Sequence, residues 1–511
     1  MRVNPIRFEW TIKPFLLFVL IGSWSCTANE HSSQKGTALP NILVILTDDQ
    51  GYPTLGSYGG NIVQTPHLDQ LASEGVLFTD AYVTSQCTPT RASFLTGQYT
   101  TSHKMWHVIG WYGYPWATMA ESAFREQFPR ASFTVAKGLQ KAGYKTGIFG
   151  KWHLTTNQDG HYRGLQSSAA PHYGFDFAPE VLGDEHFKKG ADRGIQLLTQ
   201  QSLDFINKQQ ESPWFCFLSH HMIHGKVVAP DSLVAKYEQQ GYGSEGPNRA
   251  LYLAGLELID WSVGRIVEGL KEIGEYNNTV IVFVSDNGGI DRRHEIKNLS
   301  YSAPEGFEFA ANLKEYENDP LRGGKGSIYE GGVRVPMIIR WPGHGIENRQ
   351  ISTPVHIIDL APTFMEIAGA ASQGHLEGES LVNLLNGADT KYLAQRPIYQ
   401  YYPFYDLLWG LTPCASIRIG DYKLIEFFGD RVDARHTYRM GKHIELYNLS
   451  EDIGETTNLA EKEKERSQEL LDKLHQWFLD IDVNPPTKNP HYKPEKAFEN
   501  TREKPDWLLM Q

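Results

Sequence analysis

Four short apolar runs in this chain each stop at a group of polar side chains. Asn41–Thr47 ends at Asp48 and Asp49, and residues 146–150 end at Lys151, Trp152 and His153. Trp214–Ser219 leads into His220, His221 and His224, and Thr279–Ser285 ends at Asp286 and Asn287. Short apolar runs without alternation read as strands buried on both faces, as in a largely parallel sheet. Helical stretches at 133–142 and 249–274 lie between them, the pattern of an α/β protein. In open α/β sheets, ligands bind at the carboxyl ends of the strands. Chance places polar chemistry at one or two such ends; four argue for a site.

Taken singly, each group has an ordinary reading. Asp-Asp after a strand is a turn or a helix cap, and Asp286-Asn287-Gly288-Gly289 is a good turn sequence. Lys151 and His153 alone could be a solvated strand end. Together, Asp48, Asp49, Asp286 and Asn287 offer three carboxylates and an amide oxygen. That hard set suits Ca²⁺ or Mg²⁺ rather than zinc, and no Cys/His cluster has zinc spacing. Among the histidines, His224 is assigned to chemistry; His220 and His221 fit packing.

Two further segments carry chemistry. Cys87-Thr88-Pro89-Thr90-Arg91 begins a run that closes at Gly97. Pro89 and Arg91 open a helix, which sets Cys87 at its N-terminus, where backbone N–H groups favour anions. A lone cysteine there would be a buried thiol before a helix. Leu321-Arg322-Gly323-Gly324-Lys325-Gly326 is glycine-rich but lacks P-loop order. Lys325 reads as an anion-binding lysine, with glycines that let backbone approach closely.

The run 87–97 closely resembles the core of the sulfatase family. So do Tyr329-Glu330-Gly331-Gly332-Val333-Arg334-Val335-Pro336 and the segments 65–69, 355–363 and 445–449, and the likeness runs from Asn41 to Leu459. The resemblance implies that Cys87 is oxidised to formylglycine by a formylglycine-generating (sulfatase-maturing) enzyme. It implies that Asp48, Asp49, Asp286, Asn287 and the side chain derived from Cys87 hold one divalent cation, normally Ca²⁺. Arg91 would steady the formylglycine, while Lys151, His153, His224 and Lys325 would surround the sulfate and leaving group. One departure touches His224: the family's His-x-Pro is replaced by His224-Gly225-Lys226. The implied activity is sulfuric ester hydrolysis, with a sulfated carbohydrate as substrate. Two alternatives stand beside it, a phosphate or phosphonate ester hydrolase of the same superfamily and a non-catalytic carbohydrate-binding lipoprotein.

The remaining features bear on compartment and domains. Arg2, Arg7 and Lys13 precede an apolar run over 15–21 and then Cys26, the order of an export signal over 1–26. Cys26 is either a lipid acceptor, despite Trp24 before it, or lies near a simple cleavage site. The expected location is the periplasm, or the bacterial cell envelope through that anchor. A polar tether follows over 27–38, then an α/β catalytic domain over 39–396 with a large, mostly parallel sheet flanked by helices. A smaller antiparallel-sheet-plus-helix subdomain is expected over 397–482 and an irregular tail over 483–511. Within the subdomain, 415–428 reads as a hairpin turning at Gly420-Asp421. A helix over 461–481 has Leu470, Leu471, Leu474 and Phe478 on one stripe. Net charge of −12 argues against nucleic-acid binding. Four cysteines, Cys26, Cys87, Cys216 and Cys414, make no disulfide scaffold, and Cys216 reads as a small hydrophobe. Segments 106–129, 292–318 and 399–409 are candidate pocket loops.

Overall fold

The four apolar runs fold as four adjacent strands. The computed structural model describes residues 39–502, apart from 111–112, 210, 296–304, 313–315, 317, 345–346, 372–373 and 389. The segments expected as export signal and tether, with Cys26, and the last nine residues lie outside the described residues. Strands β1 (Asn41–Thr47), β2 (Val76–Tyr82), β3 (Lys145–Gly150), β4 (Trp214–Ser219), β5 (Thr279–Ser285), β6 (Arg334–Arg340), β7 (Arg349–Ile351) and β8 (Val355–His356) form one eight-stranded sheet. Its order is β7-β2-β6-β5-β1-β4-β3, with β8 also paired to β2. Strands β5, β1, β4 and β3 are mutually parallel, while β6 runs antiparallel to β5 and β2. This is the mixed, mostly parallel sheet expected.

Burial on both faces explains the unbroken apolar runs. In β1, Ile42, Val44 and Leu46 enter one core cluster, and Leu43 and Ile45 enter the other. In β5, Val280, Val282 and Val284 alternate in the same way with Ile281 and Phe283. Each such side chain contributes about 1.5–3 kcal/mol relative to exposure, so neither face tolerates a polar residue cheaply. The first cluster is covered by α1 (Cys87–Thr96) and α2 (Val135–Lys141), the second by α3 (Ala250–Glu272). Among the described residues no helix is long and apolar enough to cross a membrane.

Strands β9 (Ile398–Tyr402), β10 (Cys414–Ile419), β11 (Tyr422–Phe427) and β12 (His443–Asn448) form a second sheet, antiparallel throughout. Gly420-Asp421 makes the expected tight turn, with Gly420 at φ 57°. Helix α4 (Lys464–Asp480) packs beside it through Leu470, Leu474 and Phe478. Leu471 is only half-buried, and the stripe gains Trp477, which stacks on Tyr399 at 4.1 Å between ring centroids. The described cysteines, Cys87, Cys216 and Cys414, are all buried and free.

A buried ionic network joins the two sheets. Asp80 of β2 accepts from Arg418 of β10 at 2.6 Å and from Arg334 of β6 at 2.8 Å. Lys423 of β11 bridges Glu330 and Glu455, each at 2.9 Å. Burial alone would protonate Glu330, but Lys423, Arg334 and Arg418 outweigh it and hold its pKa at about 2. Removing one member of such a network strands the others. Asp80→Ala is therefore expected to cost about 3–5 kcal/mol, read as a lowered midpoint in thermal unfolding. A midpoint equal to wild type would show that the arginines find other partners.

Candidate active site

Strand register brings the polar groups to one edge of the sheet. Leu46 and Gly150 both pair with Ser219, and Thr47 pairs with Ser285. The residues that follow, Asp48, Lys151, His220 and Asp286, therefore leave the parallel strands side by side. Asp48 and Asp286 are ligand candidates because both strands stop there, as the sequence indicated. The segment carrying His224 is tied to β1 directly: Asp48 N–H donates to Met222 O at 2.9 Å, and Ile223 N–H to Asp48 O at 2.7 Å.

Lys325 arrives from a loop that only glycine permits. A Cβ on Gly288 would lie 1.8 Å from Gly331 O. That contact lets Gly288 N–H reach Gly332 O at 3.0 Å and Lys325 N–H reach Gly289 O at 2.8 Å. The Asp286-Asn287 turn and the lysine loop thus pack backbone on backbone.

The charges are paired across elements. Lys151 Nζ donates to Asp48 Oδ2 at 2.6 Å, and Lys325 Nζ lies 2.7 Å from Asp49 Oδ1. Arg91 donates through Nε and Nη2 to Asp286 Oδ2 at 3.0 and 2.7 Å, and through Nη1 to Ser219 Oγ and Lys151 O. Asn287 Nδ2 donates to Asp49 Oδ1 at 2.8 Å. Burial opposes ionisation of Asp48, but Lys151, His224, Arg91 and Lys325 together hold its carboxyl well below the usual range. Burial and the Asp48 charge raise Asp286 to about 7 despite Arg91.

Cys87 begins α1, as the sequence predicted, and is buried. Its Sγ lies 3.4 Å from His153 Nδ1. Burial pushes the thiol up against the pull of Lys151 and Lys325. A cysteine that acts as its own nucleophile needs the opposite shift. His153 is held well below its ordinary pKa by burial and Lys151. Asp49 and His153 both sit in the left-handed region, at φ 63° and 54°. Non-glycine residues rarely adopt it, and such strain gathers at functional sites.

The donor set fits a hard cation. Ligand atoms of Asp48, Cys87 and Asp286 lie within 4.8 Å of one another, as do those of Asp48, Asp49 and His224. Asp48 Oδ1 and Asn287 Oδ1 are buried acceptors without a donor. Unsatisfied buried acceptors are costly, and a cation held among oxygens supplies what they lack.

The three histidines after β4 divide as the sequence suggested. His220 turns to Ser262 Oγ at 3.0 Å, and His221 to Arg163 O at 3.2 Å. His224 Nε2 lies 4.0 Å from Asp49 Oδ2, and a third of its side chain is exposed. Burial and Lys325 lower its pKa to about 4. Sequence reasoning missed Arg193, whose Nη1 donates to His224 O and Lys226 O, both at 2.7 Å. It also missed Asp406, which accepts from Gln86 beside Cys87 at 2.6 Å. Neither follows one of the four apolar runs, so that pattern does not mark them. Of the candidate pocket loops, 106–129 is largely core, with Trp106, Tyr114 and Phe124 buried. Arg292, His294, Asn318 and Trp409 line a pocket of about 470 Å³ with Lys325.

The Sulfatase family model matches residues 40–370, and the C-terminal model of N-sulphoglucosamine sulphohydrolase matches residues 324–483. Human arylsulfatase A is 30% identical over 86% of this chain and 87% of its own length. A sulfatase of Formosa agariphila is 27% identical, over 92% and 94%. Among solved structures, Ps i-CgsB in complex with k-i-k-neocarrahexaose is 25% identical at TM-score 0.66, over 89% of this chain and 95% of that one. The chain belongs to the sulfatase family and is a sulfuric ester hydrolase.

Proposed function

We propose that this enzyme releases sulfate from a sulfated carbohydrate, using a formylglycine made from Cys87 and a divalent cation held by Asp48, Asp49, Asp286 and Asn287. The observation that carries this reading is the convergence of Cys87 Sγ with Asp48 and Asp286 within 4.8 Å. Lys151 lies against Asp48, and Lys325 against neighbouring Asp49. A buried thiol with a raised pKa is a poor nucleophile there, whereas the hydrate of an aldehyde at that position would offer a hydroxyl. The all-oxygen donor set favours calcium over softer metals. A carbohydrate substrate is supported by the similar Ps i-CgsB, solved in complex with k-i-k-neocarrahexaose.

A formylglycine hydrate supplies two hydroxyls on one carbon, so sulfate accepted by one can be expelled when the other loses its proton. A bound cation supplies Lewis-acid stabilisation of anionic oxygens. The chain's own residues do the rest. Lys151 and Lys325 hold fixed positive charge beside the sulfuryl oxygens, preorganised by Asp48 and Asp49. Arg91 fixes Asp286 and, through Lys151 O and Ser219, the ends of β3 and β4. His153, beside the Cys87 side chain, is placed to take a proton from it. His224 sits at the exposed edge, where a leaving alcohol departs, and protonates it. A bound sulfate ester adds negative charge beside this ring and favours its protonated form.

The maturing enzyme is a required partner on this reading. Residues 1–26 export the chain, and Cys26 is the point at which a lipid anchor would attach. Residues 39–396 form the catalytic domain and 397–482 a supporting subdomain. Initial rates on 4-nitrophenyl sulfate and 4-nitrophenyl phosphate test the reaction class, with the protein co-expressed with a formylglycine-generating enzyme. Sulfate is expected to be the better substrate. Clear preference for phosphate would assign the site to phosphoryl chemistry, and sugar binding without sulfate release would make the protein a binding module.

A further inference from the structure

Lys151, Lys325 and Arg91 each have a carboxylate partner, and among the described residues nearby Arg293 has none. Arg293 lies in the short strand Arg293–His294, paired with Ala311–Asn312. Its guanidinium stacks on Trp409 at 5.1 Å from the ring centroid, and Lys325 Nζ lies 5.9 Å from the same ring. On its other flank is Gly225, the residue after His224: a Cβ there would lie 3.0 Å from Arg293 Nη2. Arg293 therefore stands between the loop of His224 and the ring beside Lys325, and those two side chains both reach Asp49.

Its own hydrogen-bonding capacity is unused. Arg293 Nε is buried without an acceptor, and among the described residues the side chain has no hydrogen-bond or carboxylate partner. The residue is only partly buried, so its head group remains reachable from solvent. Neighbouring Arg292, in contrast, is bound to Asp291 at 2.7 Å. A guanidinium anchored over an aromatic ring presents a planar fork that matches an oxyanion, and withholding an acceptor from a buried nitrogen is costly. The glycine at position 225 gives the fork its room, one residue before Lys226, where the chain departs from the family's His-x-Pro. Trp409 and Lys325 border the pocket of about 470 Å³, which gives a sugar ring space beside Lys325.

We propose that Arg293 is a specificity-determining residue that binds a second anionic group, a carboxylate or a further sulfate, on the sugar whose sulfate ester is cleaved. This rests on the reading of the site as a carbohydrate sulfatase, and the class of substrate it selects is a sugar with at least two anionic groups. The role is binding and not chemistry, so it is measured without turnover.

The test uses Cys87→Ala protein with calcium present and calorimetric titration. The probes are galactose and glucosamine monosulfates, each paired with the same sugar carrying one more sulfate or a uronate carboxylate. At least one dianionic probe is expected to bind about tenfold or more tightly than its monosulfated parent, the scale of a hydrogen-bonded charge pair. The two kinds of second anion separate carboxylate from sulfate recognition. Adding Arg293→Gln should erase that preference and leave the monosulfates unchanged, while Arg293→Lys keeps part of it. Gly225→Ala, which crowds Nη2 and retains the charge, should reduce it in the same direction. The proposal is overturned if no dianion is preferred, or if Arg293→Gln weakens both members of a pair equally. Loss of the preference leaves the sulfatase reading intact. Sulfate never being released by the converted enzyme would sink that reading and this proposal with it, whereas the binding result alone tests this one.

Discussion

Cys87→Ala removes sulfate release and leaves the fold standing. The rate is expected to fall by at least on the order of 10⁴-fold, because the group lost is the nucleophile itself. Stability should change by no more than about 1 kcal/mol, within the range of a small buried truncation. The reason lies in what Cys87 touches. Its only hydrogen-bond contact among the described residues is His153 Nδ1, at 3.4 Å, and its thiol is neutral because burial raises its pKa. No buried charge is stranded when it goes. The check is sulfate release measured beside a thermal melt of the same preparation. Turnover near the wild-type rate would refute the nucleophile assignment, and a collapsed melt would make Cys87 a packing residue.

Asp286→Ala has the opposite signature, a loss of activity together with a loss of stability. Arg91 is 1% exposed and gives two nitrogens to Asp286. Without that carboxylate the guanidinium is a buried charge whose remaining acceptors are Ser219 and Lys151 O, a loss worth about 3–5 kcal/mol. The same substitution removes a ligand from the cation cluster. Wild type should gain stability when calcium is added, by about 2.7 kcal/mol at a hundredfold excess over the dissociation constant. Asp286→Ala should gain much less. Differential scanning of both proteins with chelator and with calcium separates the two effects. An Asp286→Ala protein that melts like wild type and still responds fully to calcium would contradict both roles of this residue.

The sheet was legible because its strands are buried on two faces, which forces unbroken apolar runs and leaves their ends conspicuous. Strand β1 shows it plainly: Ile42, Val44 and Leu46 face one core and Leu43 and Ile45 the other. Asp48, Lys151, His224 and Asp286 were found because each follows such a run closely. Parallel register then brings them together, a step that the sequence implies and pairing completes. Cys87 and Lys325 were legible through motif likeness rather than period. Arg193 was not, and Asp406 and Arg293 were marked only as members of the candidate pocket loops 399–409 and 292–318, because their contacts are long-range. No spacing encodes that Arg193 will meet the carbonyls of His224 and Lys226. Trp477 was missed from its stripe because its partner, Tyr399, lies in a strand far back in the chain. The aromatics of 106–129 fitted a pocket wall or loop packing equally well, since tyrosine and tryptophan serve either purpose, and Trp106, Tyr114 and Phe124 are core.

The account stands or falls on the chemical state of one side chain. Peptide mass spectrometry across Cys87, on protein from a host with a formylglycine-generating enzyme, measures it directly. The prediction is an aldehyde in place of the thiol at position 87. A fully occupied, unmodified thiol in enzyme that still releases sulfate would contradict the mechanism.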